Sequence, residues 1–86
     1  GGVTGPRGAD LAEEQRTVVF YESPHRIVKL LQELETHCGL ERWVACAREI
    51  SKLHEQTVRG TVADVLEHFS QHEPKGEFVV VVAGKA

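Results

Sequence analysis

The sequence predicts an α/β (α+β) domain in which helices pack on a mixed sheet of four to five strands. Short runs rich in β-branched and aromatic residues recur along the chain, and such runs are typical of buried strands. Between them lie two segments whose apolar residues repeat at the spacing of one helix face. Elements of these two kinds stabilise each other by packing helix stripes on a sheet face.

The length and composition are those of one small domain. The 86 residues are 41% hydrophobic but include only three Phe, one Trp and one Tyr, so aliphatic side chains must form the core. A formal charge of −3 argues against a nucleic-acid binder that acts alone, because such proteins usually carry a basic surplus. Cys38 and Cys46 lack a CxxC spacing, which indicates reduced thiols in a cytoplasmic protein. No apolar run is long enough to span a membrane.

The opening of the chain predicts little regular structure. Residues 1–8 contain four glycines and a proline, a composition typical of a loop or linker. Residues 9–15 have helical propensity but one large apolar side chain, Leu11, so a short, partly frayed helix is expected. We therefore predict a linker or short helix at 1–15 and a single α/β domain at 16–86.

The first strand and helix of that domain are predicted from one continuous stretch. Residues 17–21, T-V-V-F-Y, have the pattern of a strand buried on both faces. Ser23 and Pro24 then predict a helix start, with a hydroxyl N-cap followed by proline at the first helical position. The helix at about 24–38 carries one apolar stripe, formed by Ile27, Leu30, Leu31, Leu34 and Cys38.

The second half of the chain repeats the alternation of strands and helices. Residues 43–47 predict a buried strand and residues 54–59 a third strand exposed on one face. Thr61 and Asp64 form a capping-box pattern at the start of a helix over 61–71. Residues 78–83 are the most hydrophobic run, which predicts a central strand.

The order β-α-β-β-α-β is that of a split βαβ, ferredoxin-like pattern, which is compatible with many functions. An RNA-recognition version requires aromatic side chains on two strands, and the last strand offers only Phe78. A metal carrier requires paired cysteines at a strand–helix turn, where this chain has Ser23, Pro24 and His25. Neither version is favoured.

Four blocks of polar residues carry a resemblance to an enzyme family. They are F-Y-E-S-P-H-R at 20–26, R-E-x-x-K-x-x-E at 48–55, R-G-T at 59–61 and K-G-E-F-V at 75–79. Here the chain resembles the C-terminal half of the tetrapyrrole methylase superfamily, the class III S-adenosylmethionine methyltransferases. Within that superfamily it is most similar to the small-subunit ribosomal RNA cytidine 2′-O-methyltransferases. The resemblance covers residues 16–84, although Gln56 stands where relatives often carry a second acid.

The resemblance implies a longer parent enzyme. In this family S-adenosyl-L-methionine binds between two α/β domains, and the first domain carries the glycine-rich donor motifs. No part of this chain resembles that first domain. We therefore expect a C-terminal domain that is inactive alone and that has three partners: the missing N-terminal domain of the parent, small-subunit ribosomal RNA and, through bare strand edges, a second copy in a homodimer. No membrane partner is expected.

The resemblance also implies roles for individual residues. A ribose 2′-hydroxyl would attack the sulfonium methyl group, with Lys52, Glu49 and Glu55 as candidate catalytic residues. Four side chains are assigned to substrate phosphates: Arg48, Arg59, His25 and Arg26. Three residues at the strand end and helix start are assigned to the donor: Tyr21, Glu22 and Ser23. If the second strand continues past Ile50, its alternation places Arg48 and Lys52 on one face.

Each assignment has a structural alternative. The charged residues at 48–55 can form an ion-pair network that contributes little energy. Ser23 can act only as an N-cap, and His68 and His72 have the i, i+4 spacing of metal ligands without an evident third ligand, so no metal is expected. A non-catalytic ferredoxin-like module that binds a small ligand or dimerises therefore remains the alternative function.

Overall fold

The computed structural model describes residues 9–51 and 54–85, and it confirms the α/β class. The elements are α1 (Ala9–Glu13), β1 (Val18–Glu22), α2 (Ile27–Cys38), β2 (Trp43–Ser51), β3 (His54–Thr61), α3 (Val62–Gln71) and β4 (Phe78–Val82). From β1 onward they follow the predicted β-α-β-β-α-β order. Within these residues no helix is both long and apolar enough to cross a membrane.

The four strands form one open sheet in the order β1-β4-β2-β3. All three pairings are antiparallel, so the sheet predicted as mixed contains no parallel pair among the described strands. The connection through α2 joins β1 to β2 and leaves β4 between them, while the connection through α3 joins β3 to β4 and leaves β2 between them. Both connections are split βαβ units, and the predicted central position of β4 is confirmed.

One face of the sheet and the helices enclose the core. Alternate residues of the strands point to opposite faces, and the inner-face residues of β1 and β4, with Val44 and Cys46 of β2, are buried. The core side chains come from β1, β2, β4 and all three helices: Leu11, Val18, Phe20, Ile27, Leu30, Leu31, Leu34, Val44, Cys46, Val62, Val65, Phe69, Phe78, Val80 and Val82. Aliphatic residues therefore form most of the core, as the composition predicts.

The expectation that the first strand is buried on both faces is wrong. β1 lies at an edge of the sheet, where Val18 and Phe20 are buried but Tyr21 is 59% exposed. The same alternation holds in β4, whose Val79 and Val81 are only half-buried. A continuous apolar run marks two-sided burial only if a layer covers each face, and in the described residues the helices cover one. Within residues 9–51 and 54–85, no helix covers the apolar residues of the other face.

The start of α2 differs from the prediction. The helix begins at Ile27 rather than at 24, because residues 24–26 form a turn that precedes it. The carbonyl of Ser23 accepts hydrogen bonds from the amides of Arg26 and Ile27, both at 3.1 Å. The N-cap position belongs to Arg26, so the predicted role of the Ser23 hydroxyl as N-cap is wrong. Ser23 acts here through its backbone.

The start of α3 confirms the predicted capping box. The Thr61 hydroxyl accepts from the Asp64 amide at 3.2 Å, and the Asp64 carboxylate accepts from the Thr61 amide at 3.1 Å. Gly60 has φ +151°, and a Cβ built on it would lie 2.8 Å from the Asp64 carboxylate. The glycine of the R-G-T block is therefore required by the close approach of the cap.

Candidate active site

Arg48 joins two of the four sequence blocks, 48–55 and 75–79, and also contacts Gln56, which follows the first of them. It lies on β2 in register with Gln56 of β3 on one side and Phe78 of β4 on the other. Its Nε and Nη2 donate to Oε1 of Gln56 at 3.1 and 2.9 Å, and its Nη1 donates to the carbonyl of Lys75 at 2.8 Å. The guanidinium thus connects two strands to the turn at 75–77. Part of its hydrogen-bonding capacity therefore stabilises the fold.

The turn that Arg48 contacts has a glycine, Gly76, at its centre. Gly76 has φ +79°, a conformation that residues with a Cβ rarely adopt. A Cβ there would lie 3.7 Å from Nη1 of Arg48, which is ordinary contact. The glycine of the K-G-E block is therefore required by backbone conformation rather than by lack of space.

Two of the predicted catalytic residues, Glu49 and Glu55, lie at the far end of the β2–β3 pair. Glu49 pairs with Glu55 across the two strands, and the register shifts between Glu49 and Ser51. β2 does extend past Ile50, but this irregularity interrupts the strict alternation on which the common face of Arg48 and Lys52 depended. Lys52 itself lies outside the described residues. The Glu55 side chain is exposed, so its assignment as a catalytic residue stays a prediction.

The residues predicted to contact the donor separate onto two faces. Tyr21 is exposed on the open face of the sheet, whereas Glu22, the next residue of β1, is only 5% exposed. Oε1 of Glu22 accepts from the Ser23 amide at 3.3 Å and lies 3.7 Å from Nε of Arg26. Glu22 therefore orients the turn into α2, and Ser23 is half-buried in that turn.

Two residues assigned to substrate phosphates are exposed at the same turn. His25 and Arg26 are both solvent-accessible, and half of the Arg26 side chain is exposed despite its ion pair with Glu22. Arg59 is exposed on β3, directly opposite Ala45 of β2. The strand order places Arg59 and the α2 turn at opposite edges of the sheet, so they do not form one cluster.

The open face of the sheet was not predicted as a site. Its register rows bring together small apolar residues, namely Val19 with Val81 and Ala45, and Val79 with Ala47. The exposed aromatic rings of Tyr21 and Trp43 lie at opposite corners of this area. Trp43 is 53% exposed although the sequence placed it in a buried strand. Burial alternates along each strand, and the position of the covering helices decides which face of the sheet is buried.

A cleft of about 320 Å³ lies on the helix-covered side of the sheet, between the end of α3 and the strands. Arg48 is one wall, and the turn at 73–75 is another. His68 and His72 line the cleft from α3, with ring centroids 4.5 Å apart and an interplanar angle of 13°. In the sequence these histidines have the spacing of metal ligands but no evident third ligand, so no metal site is expected there. Within the described residues no group of three potential metal ligands lies together.

The comparisons with known proteins agree with the motif blocks. The chain is 47% identical over 74 residues to ribosomal RNA small subunit methyltransferase I of Synechocystis, covering 86% of the chain and 26% of the relative. It is 44% identical to the protein of that name from Pasteurella multocida, covering 88% and 28%, and 41% identical to that from Thermotoga maritima, covering 87% and 33%. The chain is homologous to part of these methyltransferases. No family model matches it.

This homology confirms the resemblance found at the four blocks. It covers 86–88% of the chain. The chain spans only about a quarter to a third of the length of these relatives. The names of these relatives describe whole proteins, of which this chain matches one part.

Proposed function

We propose that the chain is the C-terminal domain of an S-adenosyl-L-methionine-dependent methyltransferase that modifies a ribose 2′-hydroxyl of small-subunit ribosomal RNA. The homology to proteins named as small-subunit ribosomal RNA methyltransferases carries this proposal. The contact between two motif blocks at Arg48 supports it, since residues 48–55 and 75–79 are distant in sequence and meet at one place. The activity would belong to the longer parent, in the cytoplasm, where ribosomal RNA is accessible.

The donor would contact this domain through few residues. Tyr21 offers an exposed ring, while the buried Glu22 is engaged in holding the turn that carries Ser23 and His25. A ligand held at this corner alone would remain largely in solvent, because a small-molecule site normally buries most of its ligand. The residues present therefore fit one wall of a donor site. When bound, S-adenosylmethionine supplies an electrophilic methyl group.

The remaining wall would come from the N-terminal domain of the parent. We propose that this domain completes the donor cleft, and that the isolated chain neither binds the donor tightly nor methylates RNA. Isothermal titration calorimetry should give no constant tighter than about 100 μM for this chain with S-adenosylmethionine, because a half-site leaves most of the ligand hydrated. A micromolar constant for the chain alone would contradict the divided site.

Lys52 is the residue that we propose for the chemical step. A lysine beside the 2′-hydroxyl would either accept its proton or stabilise the developing oxyanion. Its neighbours Glu49 and Glu55, on paired backbone positions, would orient it. In the parent, Lys52→Ala should lower single-turnover methyl transfer at least about 100-fold, as loss of a general base or charge stabiliser typically does.

Lys29 provides the control for this experiment. It is an exposed lysine on α2 and belongs to none of the four blocks. Lys29→Ala should leave turnover unchanged, and both variants should bind the donor like the unmodified parent. Turnover of Lys52→Ala within twofold of the control, corrected for folded fraction, would remove Lys52 from the mechanism.

The non-catalytic alternative is favoured by one observation. The edge strands β1 and β3 and the uncovered apolar face would allow this domain to dimerise through its sheet. The parent homodimer expected from the family would then use this domain. Light scattering at matched concentrations shows whether the parent and this chain each form a dimer. A dimer of this chain alone would place the contact on its own sheet.

A further inference from the structure

The structure points to a binding site that the motif blocks include only in part. It is the cleft between the end of α3 and strands β2 and β3, lined on its polar side by Arg48, His68, His72 and Lys75. We propose that this cleft binds one phosphodiester group of the RNA strand together with the nucleotide attached to it. The inference rests on the proposed function, since it takes RNA as the substrate, and it assigns the part of the domain that holds RNA.

The charge of the cleft favours an anion. Arg48 and Lys75 bring two cations, and Glu73 is the single carboxylate among the described residues of its lining. The cleft is therefore positive by one unit with neutral histidines, although the whole chain has a formal charge of −3. A local excess of positive charge on a negative protein concentrates polyanions at that place.

Two donors of the cleft, on Arg48 and His72, are held in fixed positions. Arg48 is fixed by Gln56 and by the Lys75 carbonyl, which leaves its planar group in place to meet an anion without losing side-chain freedom on binding. Nδ1 of His72 lies 3.1 Å from the carbonyl oxygen of His68, so this nitrogen carries the proton. The other ring nitrogen, Nε2, is then the one that can donate to a phosphate oxygen when the ring is protonated.

The remaining surface of the cleft suits the apolar part of a nucleotide. Val58 and Pro74 line it, and the rings of Phe69 and Phe78 form its floor in an edge-to-face arrangement with centroids 5.5 Å apart. A volume of about 320 Å³ lies at the lower end of the range for small-molecule sites, which fits one nucleotide unit rather than a larger ligand. Positive donors beside an apolar floor are the combination that single-stranded RNA recognition uses.

Titration of this chain followed by amide and imidazole NMR tests the inference. The probes are the trinucleotide CpCpC, cytidine, inorganic phosphate and a tetrapeptide of glutamate, each at low salt. CpCpC should give saturable shifts at His68, His72 and Lys75, while cytidine gives none and inorganic phosphate binds at least fivefold more weakly. Equal binding of the peptide would overturn the assignment to RNA, and shifts with inorganic phosphate equal to those with CpCpC would reduce the cleft to a general anion site and overturn it too.

Variants locate the binding. His72→Ala and Lys75→Ala should each weaken CpCpC binding about five- to tenfold, the effect of losing one charge-assisted contact at a solvent-accessible site. His37→Ala is the matched control, because His37 is an exposed histidine in the last turn of the other long helix and does not line the cleft. CpCpC affinity that is the same in all three variants would show that the cleft does not hold RNA.

The parent enzyme separates this inference from the proposed function. His72→Ala should raise KM for ribosomal RNA about fivefold and leave kcat unchanged, since the cleft positions RNA without touching the reacting atoms. Methylation with an unaltered KM would overturn the cleft and leave the function intact. A parent that does not methylate ribosomal RNA, beside a chain that binds CpCpC through His72 and Lys75, would overturn the function and support the cleft as an RNA site.

Discussion

Replacing Gly60 by alanine should destabilise the domain more than its small size suggests. Gly60 is the second-last residue of β3 and precedes Thr61, the N-cap of α3. A Cβ at this position would lie 2.8 Å from Oδ2 and 2.9 Å from Cβ of Asp64. Contacts this short require the carboxylate to move, and that carboxylate accepts the hydrogen bond from the Thr61 amide.

The magnitude has two parts. A residue with a Cβ held at φ +151° costs about 1–3 kcal/mol of backbone strain. Loss of the Asp64 and Thr61 cap adds about 0.5–2 kcal/mol. The sum, roughly 1.5–5 kcal/mol, corresponds to a fall in Tm of roughly 6–40 °C for a domain of this size.

Gly39 provides a matched control within the same chain. It also has a positive φ, +89°, but a Cβ there would meet nothing within 4 Å. Gly39→Ala should therefore cost only the strain, and the difference between the two variants measures the contact with Asp64. Urea denaturation followed by circular dichroism gives both free energies of unfolding. If Gly60→Ala costs no more than Gly39→Ala, the close approach to Asp64 does not explain the glycine of the R-G-T block.

Three further predictions follow from named contacts. Arg48→Ala should lower the free energy of unfolding by about 1–3 kcal/mol, because it removes three hydrogen bonds from a charged group, and an unchanged melting curve would show that these bonds contribute nothing. Leu31→Ala, at a fully buried position, should cost about 2–5 kcal/mol in urea denaturation, and a loss below 1 kcal/mol would contradict the described core. Burial raises the pKa of the Cys46 thiol to about 12 from an ordinary 9.0. The stability that comes from burying this thiol in its protonated form is therefore complete below pH 9 and is lost as the pH rises towards 12. Iodoacetamide at pH 8 should modify Cys46 only after unfolding, whereas rapid native-state labelling monitored by mass spectrometry would refute its burial.

The fold was predictable where the signal is local. The apolar stripe of α2 and the capping pair Thr61 and Asp64 were read from spacing alone, because a helix brings residues three and four apart to one face. The start of α2 was not predictable in the same way. Ser23 and Pro24 favour both a helix start and a turn, and the structure forms a turn whose amides bond to the Ser23 carbonyl before the helix proper begins.

The candidate site was predictable in composition but not in arrangement. The blocks identified Arg48, yet its partner Gln56 was noted only as a departure from the pattern. The bond exists because antiparallel pairing places position 56 opposite position 48, and sequence gives no strand register over that distance. The cleft lined by His68 and His72 was not predicted, for the same reason: its walls come from three separate segments of the chain.

The sequence by itself determined which segments become strands and helices, that aliphatic side chains form the core, and that the chain is related to methyltransferases. These properties depend on residue type and on spacing within a few turns or a few strand residues. Only the tertiary structure decided the strand order, the exposure of Tyr21 and the linking of two blocks through Arg48. They depend on which layer covers each sheet face and on contacts between distant segments, and an apolar strand sequence is compatible with one covered face or two until that layer is in place.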